Sequence, residues 1–496
     1  MSIPLTLKRS MMMNLIGDPW IPIIFKDGKN TFVSLEDLYN KSDDIRDLSV
    51  NPPERIALMR FLICITQAAL DGPGDEQEWR DCQNRIIPES LRYLNQRKDK
   101  FELYGEKPFM QIKELRPVKE AVIDKLDISL ASGNNPTLFD HEANLSGRKI
   151  LSPRKVINLI TFLNFSPSGL IEQAVWGNYK PNRSTFASPC IKWAHTFIRG
   201  NNLRETIFFN LLSKKCVSSF PNAEWGKPVW DFFPDGIDKE ECFENANSTY
   251  LGRLVPLSRF ILLGGSEDTR CIIGPTHKSF KISGMPAFRE PSTTVISTKK
   301  GDHKYLRVLS NKHIWRELGS VLHLSKAMEA GGAPCLNNIQ QLSDYFEKNI
   351  DIWVGGVEVG KNPAKLHDMV EWNLPIPIGL FGDTPLSIYQ KGVDKAEKME
   401  KILKSAITSY CANLSAKEIK AALFQKATLI YWNTLDSCYK LLLDIANKNN
   451  KLDEWLKLLF NTMLRTYEDS CPHQTPRQIQ AFAIGKRKLF ANINKK

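Results

Sequence analysis

Two kinds of chemistry are open to the polar residues of this chain, metal-assisted hydrolysis and polyanion binding. His367-Asp368 is a His–Asp dipeptide of the type that supplies adjacent ligands in metal-dependent phosphohydrolases. That chemistry also needs an upstream histidine and a downstream aspartate on a helical scaffold, for which His323 and Asp383 are the candidates. Pro375 and Pro377 interrupt any helix after Trp372, so Lys365–Asp368 reads more simply as a turn on a helix surface. No phosphate-binding G-x-x-x-x-G-K-[ST], no G-x-S-x-G and no H-E-x-x-H is present. The 10 cysteines are scattered without a C-x-x-C pair, which predicts reduced core thiols and no metal site.

The second chemistry has more behind it. The 496 residues carry a net charge of +12, and that charge is unevenly spread. Residues 148–204 hold nine Lys and Arg against the single acid Glu172, residues 268–316 are net +7, and residues 385–496 are net +9. Positive charge gathered into blocks is expected of a chain that meets nucleic acid through a few surfaces. Arg148, Lys149, Arg154 and Lys155 open the first block and are candidate phosphate contacts. Just before it, SGNNPTLFDHEANLSG (residues 132–147) is a Gly-, Asn- and Ser-rich loop with Leu138 and Phe139 at its centre. Phe139 is either anchored in the core or exposed for stacking. In THKSFKISG, Lys278 and Lys281 flank Phe280, a pattern that suits a solvated edge strand. GGVEVGKNP (355–363) predicts a hairpin whose tip, Lys361-Asn362-Pro363, could enter a minor groove. Lys486-Arg487-Lys488 reads as a solvated helix face.

The elements that must carry these residues fall into two parts. Residues 1–13 read as a disordered extension, and residues 14–373 as one domain. Within it, a hairpin turns at Asp27-Gly28, a short helix begins at Leu35, and Pro52–Leu70 forms an amphipathic helix. Further helices are expected at 75–98, 153–165, 204–212 and 315–328, with irregular strands at 166–190 and short strands between 250 and 310. Residues 351–359, with Gly355-Gly356, predict a strand pair or hairpin, and Gly360–Pro363 a turn. LPIPIGLFGDTP (374–385) reads as a linker, because three prolines and two glycines cannot continue a helix. Four helices follow, over about 386–411, 416–447, 452–468 and 476–493, and their short connections predict a four-helix bundle. The longest apolar runs are too short to span a bilayer and no leader is evident, which predicts a cytoplasmic protein.

Taken together, NLIGDPWIPI (14–23), EKPFMQ (106–111), NNPTLFDH (134–141), FIRGNNLRETIFFNLL (197–212) and a proline-broken passage into a basic helical C-terminus resemble the large subunit of the type I-E CRISPR Cascade complex, the CasA family. The resemblance runs from Asn14 to the C-terminus and implies an α+β chain: a large, irregular, mixed α/β N-terminal domain followed by an all-α four-helix bundle. It implies a non-catalytic subunit without cofactors, for which Mg²⁺ and ATP are unnecessary. Such a subunit would recognise the protospacer-adjacent motif (PAM) in double-stranded DNA, promote duplex opening beside the guide RNA and recruit an effector helicase–nuclease. Its implied partners are other Cascade subunits, guide CRISPR RNA and target DNA. The family's lysine finger falls on Lys278, with Lys281 as the rival. Its glycine loop falls in Val175–Arg183, where Gly177, Asn178 and Arg183 are the candidates, and its wedge falls on Lys361, Asn362 and Pro363. Asn134, Asn135, Leu138, Phe139, Asp140 and His141 match the loop that meets the guide-RNA handle and the rest of the complex. Members place a glutamine in the wedge, and some hold zinc with paired cysteines; this chain has neither feature. The alternatives are an HD-type nuclease using His367 and Asp368, and a stand-alone nucleic-acid binder.

Overall fold

A computed structural model describes residues 13–129, 149–180, 183–220, 222–278, 290–297, 303–322, 331–338, 345–360 and 365–493. The chain divides into two compact units: residues 1–314, 320–345 and 351–374 form the first, and residues 315–319, 346–350 and 375–496 the second.

In the first unit, β1 (Ile21–Phe25), β2 (Asn30–Val33) and β3 (Ile45–Leu48) form an antiparallel sheet in the order β2-β1-β3, with α1 (Leu35–Asn40) between its last two strands. The expected hairpin at Asp27-Gly28 is thus present, and Gly28 takes the left-handed φ of 87° that the turn requires. Met13, expected in the extension, is buried and its carbonyl accepts the Leu103 N–H at 2.8 Å.

Helix α2 (Pro52–Leu70) is the centre of this unit. Asn51 caps it through a reciprocal bond with Glu54, and the two prolines occupy positions whose N–H groups would have no helical partner. Every residue from Ile56 to Gln67 is buried, so the helix is covered all round and is not amphipathic as the sequence suggested. Phe61 gathers Trp20, Phe101, Phe109 and Trp230 around itself.

The expected helix over 75–98 is broken into α3 (Glu76–Asp81), a 3₁₀ turn and α4 (Ile86–Asn95). Pro88 explains the break: it has no N–H to donate to the preceding turn and its ring would strike that turn's carbonyl.

Short strands β4 (Arg116–Pro117) and β5 (Ala121–Val122) lead towards α5 (Ser152–Phe165). The irregular region beyond contains β6 (Gly169–Leu170), β7 (Ala174–Val175) and β8 (Ser184–Thr185), with β6 pairing β8 and β7 pairing β4. β9 (His195–Arg199), α6 (Leu203–Phe209), α7 (Glu240–Ser248) and α8 (Tyr250–Leu254) follow, then β10 (Arg259–Leu263) and β11 (Arg270–Pro275), which pair with β5 in the order β10-β11-β5. β10 and β11 fall within residues 250–310, where short strands are expected. Here Gly274 serves close approach: a Cβ at that position would lie 2.6 Å from the Ala174 Cβ, so only glycine lets β7 lie against β11.

β12 (Val295–Ser297) pairs with β13 (His303–Tyr305). β14 (Asn349–Val359) and β15 (Leu366–Pro377) complete a sheet in the order β15-β14-β9. Residues 351–359 with Gly355-Gly356, expected as a strand pair or hairpin, belong to a single strand. Both glycines lie inside one long strand, where a Cβ on Gly356 would come within 2.4 Å of the Trp193 carbonyl oxygen. Pro375 and Pro377, expected in a linker, end β15, an edge strand that tolerates their missing N–H groups. The rest of the expected linker is a 3₁₀ turn at Ile378–Phe381 and the start of the next helix.

The second unit holds α9 (Asp383–Leu414), α10 (Lys420–Asn447), α11 (Asp453–Ser470) and α12 (Pro476–Ile493), close to the four expected helices. α9 packs against each of the other three. Gly392 permits close approach, since a Cβ there would lie 2.3 Å from Leu442 Cδ1 on α10. Buried rings are tied by their polar atoms: Trp455 donates to the Gly392 carbonyl at 3.0 Å and Tyr431 to the Ala396 carbonyl at 2.9 Å. Residues 315–319 also belong to this unit. Trp315 is buried and donates to Asp436 at 2.6 Å, and the Arg316 guanidinium lies 3.4 Å from the Trp432 ring centroid. The mixed α/β fold with a C-terminal helical region agrees with the fold class expected from the sequence. Among the described residues no helix is long and apolar enough to cross a membrane.

Candidate nucleic-acid interface

The Gly177 turn and Lys278 lie together on the first unit. Trp176 and Tyr179 close a tight turn, each donating its N–H to the other's carbonyl, at 3.3 and 3.0 Å. Gly177 takes φ 56°, which strains any residue with a Cβ, and the space above it is open. Trp176 anchors the turn by meeting Phe260 of β10 and Phe243 of α7 edge-on, at centroid distances of 5.6 and 6.4 Å. Because β7 leads directly into this turn, the Gly274–Ala174 contact fixes it beside the end of β11.

Past β11 come His277 and Lys278. His277 is buried, stacked on Phe243 at 4.4 Å and tilted against Tyr179 at 5.5 Å. Burial, with the neighbouring Lys278 charge, pulls its pKa below the usual histidine range, so the ring is neutral at pH 7. Burial raises the Tyr179 phenol's pKa, a rise that the nearby Lys278 backbone partly offsets. The Lys278 side chain is 71 % exposed, and Glu240, itself 61 % exposed, lies 3.8 Å from its ammonium. Gly177 and Asn178 are also exposed. Arg183 is exposed, with its Nε donating to the Ile171 carbonyl at 3.2 Å. Lys281 lies outside the described residues.

The phosphate-contact expectations for Arg154 and Lys155 are overturned. Lys155 is fully buried on α5, and its ammonium donates to the carbonyls of Gly265, Ser266 and Asp268 at 2.9, 3.1 and 2.8 Å. Burial lowers its pKa. Arg154 is held between Glu54 at 2.5 Å and Asp127 at 2.9 Å. Two further arginines of the same block are engaged internally, Arg199 with Asp47 at 2.5 Å and Arg204 with Asp43 at 2.7 Å. Lys149 is an exposed surface cation paired with Glu267. Arg148 lies outside the described residues, as do Asn134, Asn135, Leu138, Phe139, Asp140 and His141, and Lys361, Asn362 and Pro363. Around the last three, Gly360 donates its N–H to the Lys365 carbonyl at 3.3 Å, at the connection between β14 and β15.

His367 and Asp368 lie on β15, which overturns both the helical metal scaffold and the helix-surface turn. Successive strand residues point to opposite faces, so this pair cannot aim at one ion as neighbours on a suitable scaffold would. Among the described residues no group of three or more His, Cys, Asp or Glu could hold a metal. His323 lies outside the described residues, and Asp383 opens α9 in the second unit.

Sequence reasoning missed Tyr179, His277 and Glu240. The run Trp176-Gly177-Asn178-Tyr179 did carry a signal, two rings bracketing a Gly-Asn turn, but their partners Phe243, Phe260 and His277 lie far along the sequence.

The sequence matches the family described as CRISPR-associated protein Cse1 over residues 14–466. It is 26 % identical over 486 residues to the CasA/Cse1 protein of Thermus thermophilus, covering 92 % of this chain and 91 % of that one. The structure resembles Thermobifida fusca Cse1 with a TM-score of 0.80 at 18 % identity, over 97 % of this chain and 98 % of the other. It also resembles a chain of a CRISPR RNA-guided surveillance complex with a TM-score of 0.76 at 16 % identity, over 97 % and 99 % of the two chains. The chain therefore belongs to the CRISPR-associated Cse1 family, the CasA large subunits of Cascade.

Proposed function

We propose that this chain acts in the cytoplasm as the non-catalytic subunit of a guide-RNA surveillance complex that reads the PAM on double-stranded DNA. In this reading Lys278 and the Gly177–Asn178 turn enter the minor groove, and Arg183 and Lys149 meet flanking phosphates. The connection between β14 and β15, with Lys361, Asn362 and Pro363, parts the first base pairs. Residues 134–141 dock the subunit on the guide-RNA handle and the neighbouring Cascade subunits, and the assembled complex recruits a helicase–nuclease. The observation that carries the reading is the meeting of an exposed lysine and an unobstructed glycine turn, from distant parts of the sequence, on one surface. A glycine with no side chain lets backbone approach a groove floor, and a flexible ammonium tolerates the similar acceptors that A·T and T·A present there. Sequence beyond the short motif is left to guide pairing.

The test is Lys278→Ala in the complex reconstituted with guide RNA, against a duplex library randomised beside the target. Affinity for the preferred motif should fall about tenfold and motif preference should flatten. Unchanged affinity and preference would remove Lys278 from the site. Tight motif-independent binding by the isolated chain would favour a stand-alone binder.

A further inference from the structure

We infer that Gly274 of β11, through its contact with Ala174 of β7, is a positioning residue that sets the gap between the Gly177 turn and Lys278 and so decides how strictly the motif is read; the inference rests on the DNA-reading function proposed above. Two points of contact carry it. At the first, the Ala174 methyl already fills the space between the strands, and a Cβ on Gly274 would lie 2.6 Å from it. At the second, the Tyr179 and His277 rings meet at 5.5 Å. Only Val175 and Trp176 separate Ala174 from Gly177, and only Pro275, Thr276 and His277 separate Gly274 from Lys278. These short spans are held along their length. Val175 pairs with Arg116 of β4, and the Thr276 hydroxyl donates to the Leu257 carbonyl at 2.7 Å. The Trp176 and His277 rings both rest on Phe243 of α7, at centroid distances of 6.4 and 4.4 Å. A change in the separation of the two strands is therefore passed on to the turn and to the base of the lysine.

The chemistry explains why strand spacing matters here. An exposed lysine has a long stem with many rotamers, and the Glu240 carboxylate beside it is solvated and holds it weakly. What can be fixed is the point from which the stem starts. The spacing between that point and the backbone surface at Gly177 is the quantity that a groove of fixed width would sense. Gly274 is not required to touch DNA. Its effect is also reversible from the opposite strand. With Ala174 cut back to glycine, a Cβ at position 274 would have the backbone Cα and N of residue 174 as its next neighbours, each at 3.6 Å, an ordinary van der Waals distance. One methyl group fits between the strands from either side, and two do not.

The experiment uses the complex reconstituted with guide RNA and two targets: a closed duplex carrying the preferred motif, and a single strand complementary to the guide, which binds by pairing alone. Gly274→Ala should weaken duplex binding by about tenfold, the loss expected of Lys278→Ala itself, and should flatten motif preference. Binding to the single strand should not change. Gly274→Ala combined with Ala174→Gly leaves one methyl between the strands and should restore both affinity and preference. Where Gly274→Ala prevents assembly, Ala174→Gly alone loosens the same contact, and it should flatten preference without weakening single-strand binding. An assembled but silent Gly274→Ala, or a silent Ala174→Gly in its place, beside a defective Lys278→Ala would overturn the inference. So would equal losses on both targets, or a double variant no better than Gly274→Ala. A silent Lys278→Ala would instead overturn the reading on which the inference rests.

Discussion

The buried cluster around Arg60 and the surface cluster around Lys278 use positive charge in opposite ways. Arg60, at the heart of α2, is wholly buried and donates to Glu290 at 2.5 Å and to Ser292 at 2.8 Å; Glu290 also takes Arg253, through Nε at 3.1 Å. Ser292 in turn bonds His195 Nδ1 at 2.8 Å, while His195 Nε2 donates to the Cys190 carbonyl at 2.9 Å. Every charge there faces a fixed partner, because a buried charge left unpaired would cost several kcal/mol. Lys278 has an exposed ammonium with one solvated acid 3.8 Å away, a contact that a phosphate or base edge can replace at little cost. Charge committed to folding is unavailable to a ligand, and charge available to a ligand contributes little to folding. Four of the nine cations in the block at 148–204, Arg154, Lys155, Arg199 and Arg204, belong to the first class, which composition could not reveal.

The comparison can be broken most severely with acid. Burial and the Arg60 charge lower the His195 pKa to about 3. The unfolded chain, with an ordinary histidine pKa of about 6.5, therefore takes up a proton that the folded chain refuses. The contribution to stability is complete above about pH 6.5 and is lost as pH falls from there towards 3, at up to about 1.4 kcal/mol per pH unit. Urea midpoints between pH 7 and 5, where few ordinary carboxylates titrate, should fall accordingly, and His195→Gln should reduce that slope, leaving the part that the depressed His277 contributes. A flat profile in the unaltered chain would mean that the buried cluster accepts charge as readily as the surface does.

Lys155→Met tests the same distinction on a single cation. Methionine keeps the length and leaves three carbonyls without their donor, so stability should fall by about 1–3 kcal/mol. The salt dependence of DNA binding by the complex should be unchanged, whereas Lys278→Ala should lower that slope by about one and leave the melting temperature alone. A reduced salt slope in Lys155→Met would place its ammonium at a phosphate. Glu240→Gln is the mildest change. Releasing Lys278 from a solvated pair should tighten binding to duplexes of any motif by about twofold, with the gain fading at high salt. Weaker binding would show that Glu240 orients Lys278 instead of competing for it.

Local physics made much of the fold legible. The Asp27-Gly28 hairpin, the capped start of α2 at Asn51-Pro52 and the four C-terminal helices announce themselves through turn residues, caps and apolar spacing within one segment. The family was legible because its motifs are scaffold. Trp20 donates to the Leu15 carbonyl, Gln111 bridges Leu103 and Leu263, and Asn210 bridges Ile198 and Thr206, so those residues are held by the core they build. Proline misled at β15, where an edge position made the start of the expected linker the end of a strand.

By itself, the sequence determined which segments form helices, where the chain turns, and that the net charge is positive, since these follow from side chains within a few residues of one another. Only the tertiary structure decided which of those charges reach solvent and which residues meet across the molecule. Lys155 was taken up by the carbonyls of a loop more than 100 residues away, and the Tyr179 ring was brought against His277 by a glycine on a different strand. Those outcomes depend on long-range packing, and no local pattern encodes the distance between two surfaces that have yet to meet.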